Sequence, residues 1–206
     1  AHEIKNPLSS MKMLAQMMQK QAPPKGDGER MITAFIKEIN RVDALVNDLS
    51  LLSGTRKYQF EPVSPYDPVE DVAALAGPKL NHLKIKLTLN RESGIPEVRM
   101  DRDKIKQVLW NLLMNAVQSM PDGGTIELSV QLINGRILEY RIKDYGAGIA
   151  EDDMKQIFAP FYSTKKEGMG IGLYVSGKIA DAHQGRIKVC STPGSGTSVS
   201  LLIPAK

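Results

Sequence analysis

The sequence predicts a helical hairpin followed by an α/β sandwich, on three observations. Over residues 2–54 apolar side chains recur at spacings of three and four, the signature of amphipathic helix. From about Phe60 onward, helical stretches alternate with pairs of strand-like runs, which calls for helices covering one face of a mixed sheet. Between them Thr55 to Pro68, carrying Pro62, Pro65 and Pro68, reads as a linker. The division expected is therefore residues 1–56 and residues 57–206.

In the first part Ile4, Leu8, Met11, Ala15 and Met18 form one stripe, and Pro23-Pro24-Lys25-Gly26-Asp27-Gly28 breaks it. Met31, Phe35, Ile39, Val42, Val46, Leu49 and Leu52 follow close to a heptad seam, with Gly54 as terminator. Two such helices cannot bury both apolar faces against each other, because domains below about 40–60 residues are marginal alone. A homodimer closing a four-helix bundle is the expected solution. In the second part the expected elements are helices at 66–81, 102–119, 151–158 and 172–183. Strands are expected at 83–90, 97–100, 124–133, 136–144, 185–191 and 197–203, with a Gly-interrupted loop at 161–171.

Composition narrows the function classes. The 206 residues carry 27 Lys and Arg against 23 Asp and Glu, without a basic run, and only 5% are aromatic. A nucleic-acid binder would show a clustered basic patch, so none is expected. The single Cys190 excludes an internal disulfide, fits a reducing cytosol and reads as a small strand hydrophobe. His2, His82, His183 and Cys190 are too scattered for a structural zinc site. No run approaches the roughly 18 apolar residues of a membrane span. The chain opens inside a helix without Met and reads as a cytoplasmic fragment, which leaves room for a membrane anchor upstream.

Five segments carry chemistry. In the helix at 102–119, Ile105, Val108, Leu109, Leu112, Leu113 and Ala116 make the buried stripe. Gln107, Asn111 and Asn115 share a second face at i, i+4, i+8. An Asn oxygen can ligate Mg²⁺, which takes oxygen ligands and keeps waters or phosphate oxygens; a solvated polar face is the plain alternative. Asp144-Tyr145-Gly146-Ala147-Gly148 follows a strand, so the carboxylate can accept from an exocyclic amine while the glycines admit a planar ring. Alone this is an ordinary strand-end turn.

Gly168-Met169-Gly170-Ile171-Gly172-Leu173 opens a helix, whose N-terminus favours phosphate. It is not a dinucleotide fingerprint, since Leu173 stands where a small residue is needed. Gly172 to Ile179 mimics a phosphate-binding P-loop, but Ile179 replaces the metal-ligating Ser or Thr, and Leu173, Val175 and Ile179 read as helix interior. Phe158-Ala159-Pro160-Phe161-Tyr162-Ser163-Thr164-Lys165 holds a default core aromatic in Phe158 and a phosphate contact in Lys165. Gly194-Ser195-Gly196-Thr197 reads by itself as a hairpin turn.

In order, these segments resemble the N, G1, F and G2 boxes of the sensor histidine kinases, whose catalytic domain shares the ATP-binding sandwich of the Hsp90/gyrase/MutL group. The opening Ala1-His2-Glu3-Ile4-Lys5-Asn6-Pro7-Leu8 resembles the H box of that family. The resemblance implies an ATP- and Mg²⁺-dependent kinase that phosphorylates His2, with Glu3 as general base. It implies Asn115 as Mg²⁺ ligand, Asn111 beside the phosphates, and Asp144 reading adenine with Gly146, Gly148 and Thr197. Gly168, Gly170, Gly172 and Leu173 would form the phosphate-side hinge of an ATP lid, and Lys165 would meet phosphate. Asn6 would position water for dephosphorylating a response-regulator receiver.

The implied partners are a second copy of the chain through the hairpin, that receiver, and protein inhibitors of the hairpin. Phe161-Tyr162-Ser163-Thr164-Lys165 and the short lid resemble the sporulation kinases of bacilli. A chaperone- or topoisomerase-like ATPase on the same fold would carry Glu at position 111 as base, where this chain has Asn111. Ser/Thr-directed kinases of this fold generally lack a His-bearing hairpin, and a non-catalytic scaffold would not need intact nucleotide motifs.

Overall fold

The computed structural model describes residues 58–164 and 170–205, together with 10–11, 13–18, 28–36, 39 and 42 of the first part. The chain divides into two compact units, Ala1–Lys57 and Tyr58–Lys206. The described residues of the first unit are helical. Ala15 and Ile39 are buried, and Val42 packs on Ile39. Met11, Met13, Leu14, Met17, Met18, Met31 and Phe35 are exposed. The expected stripe is thus split: Ile39 has partners within one chain, whereas Met31 and Phe35 face outward. Val46, Leu49 and Leu52 lie outside the described residues, as do His2, Glu3 and Asn6.

The second unit runs β1 (Glu61–Val63), α1 (Asp67–His82), β2 (Ile85–Arg91), β3 (Val98–Met100), α2 (Arg102–Gln118), β4 (Gly124–Ile133) and β5 (Ile137–Lys143). It continues with α3 (Glu151–Met154), α4 (Gly172–Ala182), β6 (Arg186–Thr192) and β7 (Gly196–Pro204). The main sheet has the order β2-β4-β5-β7-β6; β2 and β4 are parallel and the other neighbours antiparallel. Side chains alternate between its two faces. Ile126, Leu128, Val130, Leu138, Tyr140, Ile142, Leu201 and Ile203 are buried on one, while Glu127, Ser129, Arg141 and Lys143 lie on the other, where Glu139, Ser200 and Leu202 are buried as well. The three long helices pack along the apolar side, α1 on β2, α2 on β5, and α4 on β6 and β7. All six residues of the apolar stripe expected in α2 are buried.

Four expectations need correction. Glu61–Val63 lies in the stretch read as linker, yet it forms β1, pairing antiparallel with β3 so that Pro62 faces Arg99. Proline is tolerated there because a short edge strand can forgo one ladder donor. Phe158 is exposed rather than core, and Phe161 more so. Cys190 does sit in a strand but is exposed on the polar sheet face, because its β7 neighbour is Ser198 and not an inward residue. The expected 151–158 helix closes after Met154 into turns.

The start of this unit is fastened to the ends of two helices. Asp101 caps α2 by accepting the Lys104 N–H at Oδ1 (3.0 Å), while its Oδ2 accepts the Gln59 N–H (2.9 Å). The Asp101 N–H donates to His183 Nε2 (3.0 Å), and His183 Nδ1 lies 2.7 Å from the Ile179 carbonyl. Only the neutral ring with its proton on Nδ1 satisfies both. Phe60 and Tyr58 pack edge-on to this imidazole, with centroids 4.9 and 5.9 Å away.

Burial lowers the His183 pKa from its ordinary 6.5, against the opposing effects of the Ile179 carbonyl and Asp101. The unfolded chain therefore binds this proton first. Its stabilising contribution is complete above pH 6.5 and is lost as pH falls from there through the folded value. Unfolding free energies from urea titrations should hold above pH 6.5 and decline below it, with a slope of up to about 1.4 kcal/mol per pH unit from this group. His183→Phe should flatten that part of the profile. Identical slopes in the two proteins would assign the acid sensitivity elsewhere.

Candidate functional site

The polar stripe of α2 organises the site. Gln107, Asn111 and Asn115 are half-buried, and the same face continues to Ser119, which ends the helix. Along this face, Asn111 meets the first turn of α4 and Ser119 meets the loop after β5. At 1.5 Å per residue the two contacts are about 12 Å apart, with Asn115 midway. The face thus runs from one helix N-terminus to one buried carboxylate.

That carboxylate is Asp144, just past β5 and 5% exposed. Its Oδ1 accepts the N–H groups of Gly146 (3.0 Å) and Thr197 (3.2 Å), and its own N–H donates to the Thr197 carbonyl (2.9 Å). Among the described residues no donor engages Oδ2. The carboxylate therefore has one oxygen tied to the fold and one left for a donor from outside. An exocyclic amine of a purine suits it.

The glycines after Asp144 have a reason within the fold itself. A Cβ on Gly146 would strike the Ser119 carbonyl oxygen, which also accepts the Ala147 N–H (3.3 Å). Gly148 has φ +71°, and a Cβ there would strike the Thr192 carbonyl and approach Pro193. Gly196 has φ +99° and lies against the Asp144 carbonyl. At each of these glycines the direction a side chain would take is filled by this chain's own backbone. The loop is wedged between the end of α2 and the β6–β7 turn, where the Gly194 N–H donates to the Ala147 carbonyl (2.7 Å).

Ser191, absent from the sequence reading, ties the same parts together. Its Oγ donates to the Gly196 carbonyl (3.0 Å), accepts the Ile149 N–H (2.9 Å) and lies 2.8 Å from Thr197 Oγ1. Nothing about a lone Ser in a strand signals this.

At the other end, both flanks of the segment leading to α4 are pinned. The Phe161 N–H donates to the Gly170 carbonyl (3.0 Å), and Gly170, at φ +66°, sits so close to the Tyr162 backbone that a Cβ cannot fit. The Tyr162 hydroxyl donates to Asp153 Oδ1 (2.5 Å). Gly172 begins α4, with Leu173 half-buried beside it and Ile171, Val175 and Ile179 buried. Gly172–Ile179 is therefore helix and not a P-loop. A side chain on Gly172 would collide with the Asn111 amide, so α2 and α4 touch there through a bare Cα.

The structure thus brings Asn111 to Gly172, and Asp144 to Gly146 and Thr197, along one helix face that carries Asn115 between them, while Gly148 lies against Thr192 and Pro193. Lys165 and Gly168, like His2, Glu3 and Asn6, lie outside the described residues. Among the described residues there is no cluster of three or more His, Cys, Asp or Glu. A magnesium ion here would draw on amide oxygens, waters and the oxygens of its own phosphate ligand, which is the ion's preference. Among the described residues no helix is long and apolar enough to cross a membrane.

Comparison with known proteins shows the family. Residues 100–206 match the family described as histidine kinase-, DNA gyrase B- and HSP90-like ATPase, and residues 1–54 match the His kinase A (phospho-acceptor) domain. The chain is 31% identical over 206 residues to sporulation kinase E of Bacillus subtilis (strain 168), covering 100% of this chain and 28% of that protein. It is 33% identical over 204 residues to the sensor histidine kinase ZraS of Escherichia coli (strain K12), covering 99% of this chain and 44% of the relative. The crystal structure of histidine kinase ThkA in complex with the response regulator protein TrrA superposes with a TM-score of 0.74 at 25% identity, covering 100% of this chain and 60% of that one. The chain spans less than half the length of these two curated relatives. With a phosphoacceptor domain ahead of an ATPase domain, it belongs to the histidine kinase-, DNA gyrase B- and HSP90-like ATPases and, among them, is the catalytic core of a sensor histidine kinase.

Proposed function

We propose that this core binds ATP with Mg²⁺ along the polar face of α2 and transfers the γ-phosphoryl group to His2, from which it passes to an Asp of a response-regulator receiver. The observation that carries the reading is Asp144, buried, tied by Oδ1 and open at Oδ2, at the far end of a face whose other end meets the N-terminus of α4. When bound, ATP supplies the phosphoryl group, and the cation neutralises charge on its phosphates.

Asp144 Oδ2 accepts the adenine amine, with Gly146, Gly148 and Thr197 holding the carboxylate and its loop in place. Asn115 offers an oxygen to the cation and Asn111 stands beside the phosphates. Gly168, Gly170, Gly172 and Leu173 form the hinge between lid and helix, and Lys165 meets phosphate. His2 attacks through its neutral imidazole, the nucleophilic form of a histidine side chain. Glu3 takes its proton, after swinging round, because neighbouring helix residues do not face each other. Asn6, one turn on, holds the water that removes phosphate from the receiver.

Exposed Met31 and Phe35 support a homodimer through the hairpin. The segment from Phe161 to Lys165 favours a sporulation-type phosphorelay in the cytoplasm, although identity to sporulation kinase E and to ZraS is nearly equal. Hydrolysis of the chaperone type is disfavoured because Asn111 cannot act as a base.

Incubation with γ-labelled ATP and Mg²⁺ tests the proposal. Label should enter the wild-type chain, resist alkali and be lost in acid, as a phosphoramidate does, and it should be absent from His2→Gln. Acid-stable label, or label persisting in that variant, would overturn the histidine assignment.

A further inference from the structure

Ser176, on the second turn of α4, is 1% exposed and belongs to none of the motifs above. Its Oγ donates to the Gly172 carbonyl (2.9 Å), one turn back in the same helix. A hydroxyl has one proton, and a carbonyl can only accept, so this bond commits that proton. Asn111 Nδ2 lies 2.9 Å from the same Oγ and donates to its lone pair. Turning the Asn111 amide over would set Oδ1 against Oγ, and the hydroxyl would have to give up the Gly172 carbonyl to meet it. The arrangement that keeps both bonds has one amide orientation, held by a residue on another helix.

Its second side is fixed as well. Of all atoms around Gly172, Asn111 Oδ1 is the nearest to where a Cβ would stand. Gly172 and Ser176, one helical turn apart, hold the two ends of one amide, Gly172 by having no side chain and Ser176 by its hydroxyl. We propose that Ser176 is a positioning residue for nucleotide binding: it keeps the carbonyl oxygen of Asn111, and not its NH₂, at the start of α4. Asn111 then serves the phosphate end as an acceptor, for the cation or its bound water, alongside the Asn115 oxygen. This rests on the ATP reading above.

Two measurements on the whole chain test this. The first needs no nucleotide: the Asn111 side-chain amide resonances, assigned by their loss in Asn111→Ala, are followed in Ser176→Ala and Ser176→Thr. The alanine variant should move them toward solvent-exposed values and speed their exchange; the threonine variant, which keeps a hydroxyl, should not. Unmoved resonances in Ser176→Ala would overturn the positioning role. The second titrates a non-hydrolysable ATP analogue by calorimetry, in Mg²⁺ and in EDTA.

Ser176→Ala should lose about three- to tenfold in affinity in Mg²⁺ and less than about twofold in EDTA, as removal of one hydrogen bond implies. Ser176→Thr should restore binding, and in the Asn111→Ala background Ser176→Ala should cost nothing further. Equal losses with and without Mg²⁺, or losses that add, would show a merely structural serine. Wild-type chain that binds the analogue under neither condition would remove the ATP reading itself, and the resonances would still judge the Ser176–Asn111 link.

Discussion

Asp144→Asn should weaken ATP binding by at least about tenfold while leaving the fold intact, since a hydrogen bond to a charged group is worth roughly 1.5–3 kcal/mol. The direction follows from the accounting at the side chain. Two backbone N–H groups, of Gly146 and Thr197, require an oxygen at the Oδ1 position. In the Asn variant the amide oxygen must stay there, which places NH₂ where Oδ2 was. A donor then faces the donor of the adenine amine, so the variant loses an attraction and gains a repulsion.

A purine with an oxygen at that position meets the opposite situation, so preference for ATP over GTP should fall as well. Asp144→Ala behaves differently: it strands both N–H groups in a buried place, at about 1–3 kcal/mol each, and should lower the melting temperature. Calorimetric titrations with ATP and GTP analogues, paired with thermal melts, separate the two variants. Wild-type ATP affinity in Asp144→Asn would end the adenine-reading role.

Gly148→Ala should destabilise the second unit by about 3–4 kcal/mol, of which about 1–2 is the left-handed backbone and the rest a collision. The collision is with backbone, at the Thr192 carbonyl and the Pro193 Cα, so no side-chain rotation relieves it. Relief requires moving the β6–β7 turn, which is held to this loop by the Gly194-to-Ala147 bond and by Ser191 on the Ile149 N–H. Gly94 is the control: its φ of +79° is similar, but a Cβ there meets open space. Gly94→Ala should cost only the backbone share, about 1–2 kcal/mol. For a unit of this size the difference appears as melting temperatures lowered by on the order of 10 °C and a few degrees respectively. Equal losses in the two variants would show that φ alone matters and that the wedge between α2 and the β6–β7 turn carries no strain. Because Asp144 sits at the root of that wedge, Gly148→Ala should also weaken nucleotide binding.

What was legible in the sequence was local and periodic. The apolar stripe of α2 repeats every three to four residues, so its burial could be read before any contact was known. The order of Asn111, Asn115, Asp144, Gly170, Gly172 and Thr197 carried the resemblance, since each residue type is chosen for its chemistry. Other features depend on residues far apart in the chain. β1 was hidden in a proline-rich stretch because what makes it a strand is β3, 37 residues later by the pairing of Glu61 with Met100 and Val63 with Val98 at its two ends, averaged over the register.

Phe158 and Cys190 are apolar by composition, yet which side of the chain meets solvent at each was settled by the neighbouring layer. The glycines of the Asp144 loop were identified, but the close contacts that exclude a side chain there were not, since those atoms belong to Ser119, Thr192 and Pro193. Ser119, Ser176 and Ser191 were invisible for the same physical reason. A hydroxyl has no period and little preference of its own, and it gains a role only when folding brings a particular donor or acceptor within about 3 Å. The sequence by itself determined the layers, the helix face and the carboxylate. Only the tertiary structure decided which oxygen of Asp144 is free and which end of the Asn111 amide faces α4, because hydrogen-bond direction is settled by partners that the chain brings together from 53 and 65 residues away.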